Sequence, residues 1–206
     1  DSAFDNMPDN KSQRGHFLFM ADKHIISDHT QRYCVHPVAW QSSRIDRTVR
    51  STLSAEAYSC SDSVETLQWT RAVVQEILNP VMKKREVAYN NIIPVACVTD
   101  CKSLYDVLTT ERLLLKDKRL TLEASLMRQD LHDVVIQWIK SEQMLADCLT
   151  KTLSSGYTNQ IFQSNLWTLG PDEYAPTLRK RNLIDPEHKV LTQEDADALN
   201  KIFPNM

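Results

Sequence analysis

Between residues 92 and 108 the chain reads IIPVACVTDCKSLYDVL, and its hydrophobic period changes at one acidic residue. A short β-prone apolar run, Val95 to Val98, ends at Asp100, after which Leu104, Val107 and Leu108 fall at i, i+3 and i+4. Such a switch predicts a buried strand giving way to a helix, with a carboxylate at the junction. In open α/β sheets the crevice beyond the carboxyl ends of the strands is where ligands bind. Asp is also a favoured helix N-cap, and read locally Asp100 fits a cap better than a ligand.

The rest of the chain supplies the partners of this unit. Residues 1–4 read as the end of a strand, and residues 5–15 as a polar turn rich in turn-forming side chains. Residues 17–20 and 35–40 follow as two strands of an antiparallel meander. From Ser54 the period becomes helical: Ala57, Cys60, Val64 and Leu67, then Val73, Val74, Ile77 and Leu78, mark one face until Asn79-Pro80 ends it. Ser51, Thr52 and Ser54 are candidate caps, and Glu56 is expected in the first turn, where the macrodipole favours an acid. Beyond Asp100 a second long helix is expected over residues 113–131, a buried strand over 134–139 and a final helix over 141–153 carrying Asp147. The order β-β-β-α-β-α-β-α predicts an α/β fold.

Charge and cysteine usage narrow the setting. With 206 residues, 42% hydrophobic and 25% charged, the chain has the composition of one soluble domain with an extension. A formal charge of −3 does not describe a generally basic nucleic-acid binder, so any such role must rest on local clusters. No run approaches the roughly 20 apolar residues of a membrane span. Five cysteines, odd in number and mostly within apolar periodic segments, suggest free thiols in a reducing, intracellular compartment. His24, His29, Cys34 and His36 are possible zinc ligands, but their spacing fits none of the usual finger patterns.

Four acids stand out by position: Asp1 in the first strand, Glu56 in the first helix, Asp100 at the end of the fourth strand and Asp147 in the last helix. They can meet only through the fold. Around them run Asp-Ser-Ala-Phe from Asp1, Lys-Ser-Gln-Arg-Gly from Lys11, Val-Ala-Trp-Gln-Ser-Ser-Arg from Val38, Ser-Ala-Glu-Ala-Tyr from Ser54, Thr-Asp-Cys-Lys-Ser from Thr99 and Leu-Ala-Asp-Cys-Leu-Thr-Lys from Leu145. In that order these segments resemble the ribonuclease H domain of copia-type retrotransposon Pol polyproteins, over residues 1 to about 153. The resemblance implies a ribonuclease H-like fold: a mixed five-stranded sheet with helices on both faces.

It also implies that Asp1, Glu56, Asp100 and Asp147 are catalytic, metal-binding carboxylates, with Asp1 and Asp100 central. The cofactor implied is Mg²⁺, two ions, with Mn²⁺ as a substitute, and the substrate is the RNA strand of an RNA–DNA hybrid. Two hard cations about 3.5–4 Å apart can stabilise both the attacking and the leaving oxygen of a phosphodiester. Hybrid contacts are expected from Arg44, Arg47, Arg50, Ser103, Lys116, Lys118 and Arg119, with Thr99 beside Asp100 a further candidate. A partner implied is the upstream reverse-transcriptase region of the same polyprotein, with no membrane, in a cytoplasmic particle or the nucleus.

The sequence departs from the pattern in places. Residues 140–143 carry no His where many ribonucleases H have one before the last Asp, and Leu53-Ser54 stands where a Thr-Glu pair is common. The first strand is expected to be truncated, with upstream sequence missing, so that the chain could retain the fold as an inactive nucleic-acid-binding or structural module. Residues 154–206 are expected to be a C-terminal extension, partly helical or disordered. Within it residues 157–167 read as a short helix, residues 171–186 as a linker, and Thr192-Gln193-Glu194-Asp195 as a helix start with capping-box character.

Overall fold

The computed structural model describes residues 1–8, 11–78, 92–110, 117–151 and 156–171. They belong to a compact unit, Asp1–Pro176; a second unit, Thr177–Met206, lies outside the described residues, as do the linker over 172–186 and the helix start at Thr192. The elements are β1 (Ser2–Met7), β2 (Lys11–Ala21), β3 (Tyr33–Ile45), α1 (Thr52–Leu78), β4 (Ala96–Thr99), α2 (Lys102–Thr109), α3 (Lys118–Asp130), β5 (Val135–Trp138), the single turn α4 (Asp147–Thr150), α5 (Gly156–Ser164) and β6 (Leu166–Trp167). The fold is mixed α/β.

The strands form two sheets. β1, β2, β3 and β6 pair antiparallel in that order, and β4 pairs parallel with β5. The single five-stranded sheet expected from the sequence is therefore divided, because among the described residues no strand joins β2 to β4. The meander is longer than its apolar runs suggested: Ser2 faces Arg14 and Met7 faces Lys11, so much of the expected turn over 5–15 is ladder. Polar side chains suit an antiparallel strand with one wet face, and Asp5, at φ 54, takes the irregularity between Ala3 and Met7.

Two apolar clusters lie on opposite faces of β4. Cys97 packs with Ala57, Val64, Leu104, Leu108, Leu120 and Met127, which come from α1, α2 and α3. Val98 faces the other cluster, where Val35, Ile139, Leu145, Ile161 and Trp167 pack with Phe17 and Phe19. Helices thus cover both faces of the parallel pair, as period-2 alternation along β4 requires. The helix and strand over 156–167, which the sequence placed in the extension, contribute Tyr157, Ile161 and Trp167 to this core.

Local chemistry sets the helix starts. Ser51 Oγ accepts the Ser54 N–H at 3.1 Å, which selects Ser51 among the three candidate caps. Because α1 begins at Thr52, Glu56 falls in its second turn and not the first, and the macrodipole explanation for that acid loses force. Asp117 caps α3 by accepting from the backbone of Arg119 and Leu120, so the helix expected from residue 113 starts at Lys118 among the described residues; residues 111–116 lie outside them. The final helix expected over 141–153 is instead a 3-10 turn, Ser141–Gln143, followed by α4. Residues 141–153 are too short of helical apolar periodicity to hold a continuous helix against the sheet.

Candidate metal centre

Asp100 follows β4, where Trp138 Nε1 donates to its backbone carbonyl at 3.1 Å and ties it to β5. The capping reading of Asp100 does not hold: the N-cap of α2 is Cys101, which makes no side-chain capping bond. The Asp100 carboxylate instead meets two others. One oxygen each from Asp1, Asp100 and Asp147 lie within 4.8 Å of one another.

Each of the other two acids is positioned by its own element. Asp1 sits at the entry of β1, where it exchanges backbone bonds with Gly15: Gly15 N donates to Asp1 O at 3.0 Å and the α-ammonium donates to Gly15 O at 3.1 Å. Ser59 Oγ, on α1, donates to the same Asp1 carbonyl at 2.6 Å. The Asp1 side chain is 1% exposed, and its Oδ2 accepts from Thr150 Oγ1. Asp147 opens α4, which lies against β2. The close approach requires Gly15, since a Cβ there would stand 2.8 Å from both Leu149 Cβ and Thr150 Cγ2.

Glu56 is close but engaged elsewhere. Its Oε1 accepts the Ser2 N–H at 3.3 Å, and the residue is 7% exposed. Burial raises its pKa, the Asp100 charge adds to the rise, and the α-ammonium, the Ser2 bond and Lys151 oppose it. Asp147 is raised by burial and by Asp100, against the opposing pull of Lys151. The structure therefore gathers three of the four predicted acids directly and keeps Glu56 at the margin.

Lys151 is the residue that sequence reasoning missed. Its Nζ lies 2.7 Å from Asp147 Oδ1 and 3.2 Å from Asp1 Oδ1, so an ammonium bridges two of the three clustered carboxylates. The i,i+4 spacing from Asp147 was the available signal. Three carboxylates offer the oxygen ligands that a hard divalent cation takes, and their convergence at partial burial is costly without positive charge to offset it, of which Lys151 supplies one unit. The donor set fits a metal ion.

The expected nucleic-acid contacts divide. Arg50 and Arg119 line a cleft of about 230 Å³ with Thr48, Ser54, Tyr58 and Asp117. Arg47 lies 5.3 Å from the Tyr58 ring centre, and its Nη1 is 3.8 Å from Glu123 Oε2. Arg44 stands at the end of β3, held by Asp46 at 3.2 Å. Lys118 is exposed at the start of α3, and Ser103 is exposed in the first turn of α2. Thr99 is buried and its Oγ1 accepts the Cys101 N–H, so it shapes the junction. Lys116 lies outside the described residues.

Fold and site together define an α/β protein with a carboxylate cluster able to hold a metal ion. Comparison with protein-family models, with curated proteins and with solved structures finds no match to the chain. Among the described residues no helix is long and apolar enough to cross a membrane.

Proposed function

We propose that this chain is a ribonuclease H-like domain that hydrolyses the RNA strand of RNA–DNA hybrids with Mg²⁺, as part of a retroelement Pol polyprotein. The observation that carries the reading is the meeting of Asp1, Asp100 and Asp147, from three distant parts of the chain, within 4.8 Å. The ordered segments around these acids, similar to the copia-type domain, supply the substrate class.

In this reading Asp1, Asp100 and Asp147 would hold the metal. When bound, Mg²⁺ supplies Lewis-acid stabilisation of the phosphodiester oxygens and lowers the pKa of water. With a cation bound, Lys151 would give up its contacts to Asp1 and Asp147, and Thr150 would keep the Asp1 carboxylate oriented. Glu56, protonated more readily than an ordinary carboxylic acid, is placed to receive or return a proton at the edge of the cluster once its bond to Ser2 loosens. The cleft of Arg50, Arg119 and Tyr58 takes backbone phosphate, and hybrid is distinguished from duplex DNA by groove shape and 2′-hydroxyls. A neighbouring reverse transcriptase, in a reducing cytoplasmic particle or the nucleus, would supply the hybrid.

The test is cleavage of a strand-labelled RNA–DNA hybrid in Mg²⁺. Activity that is lost in Asp100→Asn, with the fold retained by circular dichroism, supports the assignment; unchanged cleavage in that variant removes Asp100 from the site. A second reading, a non-catalytic module that binds nucleic acid or supports a larger assembly, is favoured by the Lys151 ammonium between Asp1 and Asp147. It predicts hybrid binding without cleavage in any divalent cation.

A further inference from the structure

Side chains from three strands converge on one short turn. α4 has four residues, too few to persist alone in water, and it is closed by Leu149 N–H donating to Ala146 O at 3.0 Å and Lys151 N–H donating to Asp147 O at 2.9 Å. The carbonyls of its last two residues have no helical partner, as at any helix end. The sheet supplies one. Gln13 Nε2 on β2 and Ser42 Oγ on β3 donate to Leu149 O at 2.8 and 2.7 Å. Asn6 Nδ2 on β1 donates to Thr150 O at 3.1 Å.

The three side chains also bind one another. Gln13 Nε2 donates its second proton to Ser42 Oγ at 2.8 Å, and Gln13 Oε1 accepts from Asn6 Nδ2 at 2.8 Å. Both protons of each amide and the Ser42 hydroxyl proton are thereby used, which fixes the direction of every bond in the network. A turned Gln13 amide would set its oxygen against the Leu149 carbonyl. Asn6 reaches this face through Asp5, which takes a left-handed conformation at φ 54 in the irregularity of β1 and brings the next residue round to Gln13. A non-glycine residue persists there only where its surroundings hold it.

What this network grips belongs to the metal centre. α4 carries Asp147 and Thr150, with Lys151 one residue on; Thr150 Oγ1 donates to Asp1 Oδ2, and Lys151 Nζ bridges Asp147 and Asp1. We infer that Asn6, Gln13 and Ser42 are positioning residues of the metal centre: their clamp on the Leu149 and Thr150 carbonyls fixes α4 against the sheet and so sets the placement of Asp147 beside Asp1 on which cation affinity depends. The inference deepens the metal-binding reading, on which it rests, and needs no particular substrate.

The experiment measures three quantities in the 206-residue chain: Mg²⁺ affinity by titration calorimetry, hydrogen exchange at the Leu149 and Lys151 amides, and unfolding temperature. Gln13→Met keeps the side-chain length and removes its donors; it should weaken Mg²⁺ binding by about tenfold and speed exchange at both amides. Ser42→Ala should act in the same direction, and Ser42→Thr, which keeps the hydroxyl, should restore both. Gln68→Met is the control, since Gln68 Nε2 donates in the same manner to the Asp130 carbonyl at the end of α3, at 2.7 Å. It should lower the unfolding temperature comparably and leave Mg²⁺ affinity unchanged. Faster exchange in Gln13→Met with unaltered affinity, or an equal loss of affinity in Gln68→Met, overturns the positioning role. No Mg²⁺ uptake by the unaltered chain overturns the metal reading and the positioning role with it, whereas uptake that every variant shares overturns the clamp alone.

Discussion

Lys151 and Glu56 carry the sharpest consequences of the site. With its Nζ between Asp147 and Asp1, Lys151 offsets the charge that a divalent cation would otherwise meet. Lys151→Met should tighten Mg²⁺ binding by about tenfold, as expected for removing one nearby charge in a partly solvated site; titration calorimetry reads this directly, and weaker binding would make Lys151 a supporting residue. Glu56 and Asp147 both have raised pKa values. Within the window between ordinary carboxylate pKa values and the raised folded ones, the folded chain binds more protons than the unfolded chain. Stability owed to these groups is therefore full below that window and falls as pH rises through it. Metal-free unfolding temperatures measured against pH should show this decline, and Glu56→Gln should remove part of it.

At the scale of elements, two contacts hold the site in place. Gly15 allows α4 to lie against β2, and a methyl group 2.8 Å from Leu149 and Thr150 cannot be accommodated by rotating a flexible chain end. Gly15→Ala should cost about 1–3 kcal/mol and weaken cation binding more than a substitution of equal cost elsewhere, because it displaces Asp147 and Thr150 together. Far from the cluster, Arg71 on α1 meets Asp133, just before β5, at 2.8 Å, with side chains 7% and 16% exposed. Arg71→Met removes this ion pair while His132 Nδ1 stays 3.4 Å from Asp133 Oδ1, and a loss of about 1.5–3 kcal/mol is expected in denaturant unfolding, with the acids unmoved. Arg128 performs a lighter task, donating to the carbonyls of Val107 and Thr110 at the end of α2.

For the molecule as a whole, the net charge of −3 conceals a division between an acidic centre and a basic cleft. Arg50→Ala with Arg119→Ala should weaken hybrid binding and flatten its salt dependence by about one to two released counterions, as read by fluorescence anisotropy across a salt series. An unaltered slope would place the cleft outside the interface.

Much of the fold was legible because it rests on local rules. The apolar stripe from Ala57 to Leu67 and the switch of period at Asp100 record which face an element buries, whereas the stripe's continuation does not: Val73, Ile77 and Leu78 are exposed and Arg71 and Gln75 are buried instead, and in the run ending at Ile139 Val135 is exposed. Helix starts were legible less well, since Ser51, Thr52 and Ser54 are chemically alike and only backbone geometry chose Ser51. The four acids were legible as a set through the segments that flank them. Their arrangement was not: a carboxylate at a strand end can cap or ligate, and only tertiary structure shows Cys101 in the cap position and Asp100 beside Asp1 and Asp147 in a group that could hold a cation. Glu56's bond to Ser2 and the lysine bridging Asp1 and Asp147 were likewise set by tertiary structure. Side-chain type and period are properties of neighbouring residues along the chain, whereas charge compensation and strand partnership depend on groups that sequence separates and folding brings together.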